Sequence, residues 1–168
     1  KEQGRLTLNP LKHLDPLGTI MLLFVHFGWA KPVPVNPLYF TINRRKGMML
    51  VALAGPLMNF LLAYLSIWGF KSFYMGWLPQ SDYLLYFFQQ MILTNLYLGV
   101  FNLLPVPPLD GSKILAGLGD DRFARKVYQI EQYGPVLLFL IIVTGLSDKI
   151  LDPLANGILN LMFRSAGM

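Results

Sequence analysis

The chain contains no cysteine, which excludes disulfides, thiolate metal sites and cysteine nucleophiles. It is poor in charge: 14% of its 168 residues are Asp, Glu, Lys or Arg, against about a quarter in an ordinary soluble domain. Histidine is scarce, with only His13 and His26. No signal peptide, internal repeat or low-complexity tract is visible. The first residue is Lys1 and not methionine, which leads to the expectation that an N-terminal part precedes it. The net charge of +5 does not point to nucleic acid, because the basic residues flank apolar runs and do not line one face. What fills the chain is apolar: 54% hydrophobic residues and a mean hydropathy of +0.47, in long uncharged runs. That pattern predicts an integral membrane protein in contact with the lipid bilayer.

The organising stretch is Phe101-Asn102-Leu103-Leu104-Pro105-Val106-Pro107-Pro108-Leu109-Asp110-Gly111. Proline lacks an N–H and clashes with the preceding turn, so a helix arriving at Leu104 cannot continue unchanged. Inside a bilayer, broken backbone is tolerated only where protein or a water-filled cavity satisfies it. An ionisable group at such a break, here Asp110, is a functional candidate. The alternative is a carboxylate at a helix end, solvated by interfacial water.

Along the chain, Gly4 to Pro10 reads as a short extended piece, and Asp15-Pro16 as an N-cap followed by Pro at the first helical position. Leu17 to Ala30 is apolar but would rise only about 21 Å, short of the ~30 Å hydrocarbon core, which predicts a re-entrant or partly buried segment. Lys31-Pro32-Val33-Pro34-Val35-Asn36-Pro37 cannot be helical. It reads as a polyproline linker or as an extended strand whose Val33 and Val35 donors could hold an extended peptide. Arg44-Arg45-Lys46 precedes a span over Met48 to Phe70, where Gly55 and Asn59 share a face and Pro56 predicts a kink. A second span is expected over Tyr83 to Leu109, with Gln89, Gln90 and Asn95 as interhelical hydrogen-bonding groups. A third is expected over Tyr133 to Leu146, extended back towards Val127, and Ile150 to Phe163 reads as a broken, interfacial amphipathic stretch.

These motifs resemble those of the site-2 protease family of intramembrane zinc metalloproteases, in its compact bacterial and archaeal branch. Leu104 to Gly111 is similar to that family's Asn-Pro-Asp-Gly-type motif. Gly4 to Pro10 with His13 and Asp15-Pro16 resembles the segment after its first catalytic helix. Gly28 to Pro37 resembles its loop, and Ala54-Gly55-Pro56 with Asn59 its next helix. The resemblance runs in family order over residues 4 to 111. It implies a catalytic Zn2+ held by two histidines of a His-Glu-x-x-His motif and by Asp110, with Asn102 stabilising the oxyanion or positioning the substrate. Such a zinc keeps one coordination position for water and lowers that water's pKa.

The sequence departs from the family in one respect: neither His13 nor His26 is followed by Glu, and no His-Glu-x-x-His occurs. Truncation upstream of Lys1 is the expected explanation, and a non-catalytic homologue the alternative. His13 and His26 are themselves read as a surface or second-sphere residue and a buried, satisfied residue. The reading is therefore an all-α polytopic membrane protein, residues 1 to 168 forming one membrane domain. It has about three spanning helices, a short re-entrant segment and a short Pro-rich strand. The expected reaction is hydrolysis of a peptide bond in a transmembrane protein substrate. Asp110 is the metal ligand and Asn102 the catalytic amide, while Gly55, Asn59, Pro32, Val33, Pro34 and Val35 line the substrate path. A membrane binding protein without activity and a transporter are the other classes. If Leu17 to Ala30 spanned, the first two basic groups would fall on opposite sides of the membrane. With that segment re-entrant, the Lys and Arg distribution places residues 1 to 13, 31 to 46 and 112 to 126 in the cytoplasm and 71 to 82 outside. That puts the site towards the cytoplasmic side of a prokaryotic cell membrane.

Overall fold

A computed structural model describes residues 14–25, 35–36 and 39–168, which fall into two units, Lys1–Asn36 and Pro37–Met168. In the first unit Asp15 starts a helix as its sequence predicts. Its carboxylate accepts from the Gly18 N–H at 2.9 Å and its carbonyl from the Thr19 hydroxyl at 2.7 Å. The resulting α1, Pro16–Val25, is too short to cross a bilayer, at about 15 Å. The rest of the expected re-entrant segment lies outside the described residues. So do His13, His26, Pro32, Val33 and Pro34, while Val35 and Asn36 are neither helix nor strand.

The second unit is organised on α2, Arg44–Tyr74. Asn43 caps it, its side-chain oxygen accepting from the N–H groups of Arg45 at 3.0 Å and Lys46 at 3.5 Å. This cap draws the basic cluster into the helix, so α2 starts before the expected Met48 and runs past Phe70. It continues through Pro56, whose side chain is fully buried. A turn at Gly76, with φ 74°, leads to α3, Asp82–Asn102. Both helices are long and apolar enough to cross a membrane. A soluble core helix would bury its apolar residues, but only 17% of the apolar window of α2 and 28% of that of α3 is buried. Leu57, Leu61 and Leu65 are among the side chains left on the outer surface.

Small residues set the pairing of α2 with α3. Phe88 of α3 lies on Gly69 of α2, and Phe60 of α2 lies on Gly99 of α3, so the two run antiparallel with aromatic rings filling glycine gaps. The expected second span to Leu109 is corrected here: α3 ends at Asn102, and residues 103–109 are non-helical because of Pro105, Pro107 and Pro108. A new helix, α4, Asp110–Leu118, then continues along α2 in the same direction. Asp110 lies beside Gly55, Gly117 packs on Met49, and Asp121 pairs with Arg45. Thus α3 and α4 are two halves of one broken helix laid against α2.

Asp121 begins α5, Asp121–Glu131, capped by the Asp120 carboxylate accepting from the Phe123 N–H at 2.7 Å. Next come α6, Gly134–Val143, and, after Gly145 at φ 66°, α7, Leu146–Ser165. These differ from expectation twice. The third span predicted over Tyr133 to Leu146 is a ten-residue helix, about 15 Å long, which a turn at Gln132-Tyr133 separates from α5. The stretch Ile150 to Phe163, expected to be broken, lies inside one helix that passes through Pro153. The Tyr97 hydroxyl of α3 donates to Asp152 at 2.9 Å near its start. The Lys71 ammonium of α2 donates to the Ala166 carbonyl just past its end. Between these points Ile67, Ile92 and Ala166 form a buried cluster with Tyr64, Phe70, Leu159, Met162 and Phe163 around it. So α7 runs parallel to α2, and α2, α3 and α7 make a three-helix core. The described residues are all-α, with no extended strand.

Candidate active site

The opened segment 103–109 satisfies its own donors. Leu103 donates to the carbonyls of Gly99 at 3.2 Å and Val100 at 3.1 Å, Leu104 to Phe101 at 3.1 Å, Val106 to Leu104 at 2.8 Å, and Leu109 to Val106 at 2.9 Å. The other three residues are prolines, which have no N–H. Non-helical backbone can therefore sit at membrane depth without an orphaned donor. The segment is also anchored. Leu104, Pro107 and Leu109 are buried, and the Pro107–Pro108 peptide is cis. Gly111 faces the carbonyl oxygens of Leu103 and Leu104 so closely that any Cβ would collide with them. Gly134, at the head of α6, abuts the carbonyl of Pro107 in the same way. At the other edge, the Ser112 hydroxyl donates to the Leu109 carbonyl at 2.8 Å.

Asp110 is the first residue after this segment. Its side chain is 32% exposed, and its nearest cation is Lys113, 3.9 Å away and one turn along α4. Among the described residues no hydrogen bond reaches its carboxylate. A partly buried carboxylate in that position has lost water without gaining a close partner, which costs free energy. A Cβ placed on Gly55 would stand 3.3 Å from Asp110 Oδ2, so glycine at this position leaves the carboxylate room. Gly55 lies eleven residues after Arg44, which puts Asp110 about 16 Å along a helix of about 46 Å.

The structure thus joins two of the residues singled out in the sequence, Asp110 and Gly55. Asn59 is one turn further along the same face of α2 and half-buried. Asn102 ends α3, and its amide donates to the Leu98 carbonyl at 2.9 Å; an amide carries a second N–H beyond that bond. Asn95 departs from expectation: its amide turns back to the Met91 carbonyl of its own helix at 2.9 Å and bridges no helices in this bond. Gln89 and Gln90 are exposed. Sequence reasoning missed Lys113, although its position three residues after Asp110 on a helix was the available signal. It also missed the abutment of Gly134 on Pro107, for which Gly134-Pro135 at a helix start was the cue.

A catalytic zinc takes three protein ligands. Among the described residues no group of three His, Cys, Asp or Glu side chains comes together. Asp110 offers one carboxylate, so the described residues do not by themselves form a zinc site.

A broken apolar helix with a carboxylate at the break, packed on an intact apolar helix, marks a candidate functional site in a membrane protein. Comparison with known proteins gives the class. Residues 72–144, which hold α3, the opened segment and Asp110, match the model of Peptidase family M50. The chain is 44% identical over 160 residues to a Bacillus subtilis protein named "Putative zinc metalloprotease YwhC", a match covering 93% of this chain and 73% of that one. It is 30% identical over 151 residues to "Putative zinc metalloprotease Rip2" of Mycolicibacterium smegmatis, covering 84% of this chain and 55% of that one. No solved structure matches. The chain belongs to Peptidase family M50, the membrane-embedded site-2 proteases.

Proposed function

We propose that the full protein is an intramembrane zinc endopeptidase that hydrolyses a peptide bond of a transmembrane protein substrate. In this reading the chain supplies Asp110 as the third zinc ligand, and the other two ligands lie outside the described residues. The observation that carries it is the position of Asp110: a partly buried carboxylate, without a hydrogen bond among the described residues, at the break of a membrane helix beside a glycine. A partly buried carboxylate whose cation partner stands 3.9 Å away is costly, and metal ligation would lower that cost. Bound zinc would act as a Lewis acid and lower the pKa of a coordinated water.

The chain's own residues do the rest. The self-satisfied 103–109 segment holds α3 open, so a polypeptide can approach Asp110 without meeting a continuous helix. The remaining N–H of Asn102 serves as the donor for the oxyanion or for positioning the substrate. Gly55 and Asn59 form the α2 wall of the substrate path. A helical substrate must unwind before its carbonyls are exposed, and the Pro32 to Val35 edge is proposed to hold it extended.

For topology, we propose that α2, and α3 with α4, cross the prokaryotic cell membrane, and that Leu17 to Ala30 is re-entrant. The Arg44 end of α2 then faces the cytoplasm, and Asp110 sits in the cytoplasmic half. Asp110→Ala in the full protein tests the function. Cleavage of a transmembrane substrate in proteoliposomes should fall to background, whereas wild-type cleavage rates in Asp110→Ala would refute the assignment.

A further inference from the structure

We propose that a cavity at the Arg44 end of α2 binds the phosphodiester headgroup of an anionic phospholipid. The cavity, of about 380 Å³, lies between the first turns of α2 and α5. Arg44 and Arg45 enter it from α2 and Arg125 from α5, against a single carboxylate, Asp121. That carboxylate is already paired with Arg45, whose terminal nitrogen lies 2.8 Å from it. Three guanidinium groups thus face one committed acid, leaving an excess of two positive charges. The Arg45 Nε is buried and has no partner among the described residues. A buried donor left unpaired is costly, which marks this end of α2 as a place where an added acceptor would be favourable if the Arg45 side chain turns towards it. Guanidinium groups match phosphate oxygens in forked pairs.

Two features select a lipid over a free anion. The cavity opens at the end of α2, a helix long and apolar enough to cross a membrane, and on the topology proposed above this end lies at the level of the headgroups. Its remaining walls, Met48, Ala124 and Tyr128, offer apolar surface to a glycerol backbone and the first methylenes, with the Tyr128 ring of the type that sits at this interface. A headgroup held by Arg44, Arg45 and Arg125 would tie α5 to α2. Because α4 packs on both, it would also steady the element that carries Asp110.

The test is thermal unfolding of the full protein in a neutral detergent, with added phosphatidylglycerol, phosphatidylcholine or sodium phosphate. Phosphatidylglycerol should raise the midpoint in a saturable manner, and the other two should not. Arg44→Gln/Arg125→Gln keeps the Arg45–Asp121 pair, and should weaken the apparent phosphatidylglycerol affinity about tenfold or more. The single variants Arg44→Gln and Arg125→Gln should each weaken it in part, and they carry the test if the double variant does not fold. Equal stabilisation by phosphatidylcholine would overturn headgroup recognition, and equal stabilisation by phosphate would overturn the lipid as ligand. Wild-type phosphatidylglycerol affinity in the folded variants would overturn the site.

Discussion

At the scale of the residue, Asp110 and its neighbours are arranged to keep a carboxylate available. Gly55 withholds a side chain from it, Lys113 stands at the long limit of an ion pair, and the opened segment turns its own donors inward. A carboxylate with a purely structural role would be expected to accept hydrogen bonds, as Asp120 and Asp15 do at the heads of α5 and α1. Asn102 is the residue whose role is open to the sharpest measurement. If its second N–H stabilises an oxyanion, Asn102→Ala should lower turnover about 100- to 1,000-fold, with zinc content unchanged. A loss below about threefold, small on that scale, would leave Asn102 as a group that only caps its own helix.

At the scale of the element, the break depends on glycine as much as on proline. Gly111 lets α4 begin directly against the Leu103 and Leu104 carbonyls, just past the end of α3. Gly111→Ala should therefore destabilise the fold by at least the roughly 1–3 kcal/mol typical of overpacked sites. Gly157 is the internal control, because a Cβ added there meets nothing within 4 Å in mid-α7. Gly157→Ala should stabilise by about 0.5–1 kcal/mol through helix propensity. Denaturation midpoints of both variants check the pair, and destabilisation by Gly157→Ala would mean that this face is packed. The break itself was legible in the sequence, since three prolines within four positions force it wherever the chain goes. The two long spans were legible from their apolar runs. The ends of α2 were not, because a cap at Asn43 outweighed the charge of the basic cluster. Nor was α7: Asp152-Pro153, Asn156 and Gly157 lower its apolar signal, and only Tyr97, Lys71 and the Ile67 cluster reveal that it is packed along its length. The closeness of Gly55 to Asp110 is a tertiary fact that no local pattern carries, although the motifs holding both residues were recognisable.

At the scale of the whole second unit, α2 is the helix along which the broken α3–α4 helix and α7 are packed, and topology is set by its direction. The absence of native cysteine makes single-cysteine labelling clean. Cysteines replacing Lys12, Arg44 and Arg122 should react only from the cytoplasmic side, and one replacing Asp82 only from outside. Opposite sidedness for Lys12 and Arg44 would show that Leu17 to Ala30 crosses the membrane and would refute the re-entrant reading. The central claim is that Asp110 holds the metal. The most direct measurement is the zinc content of the full protein, by elemental analysis after dialysis, with and without Asp110→Ala. Loss of one of three ligands should reduce bound zinc from one equivalent to well below it. One equivalent of zinc retained in folded Asp110→Ala protein would contradict the account.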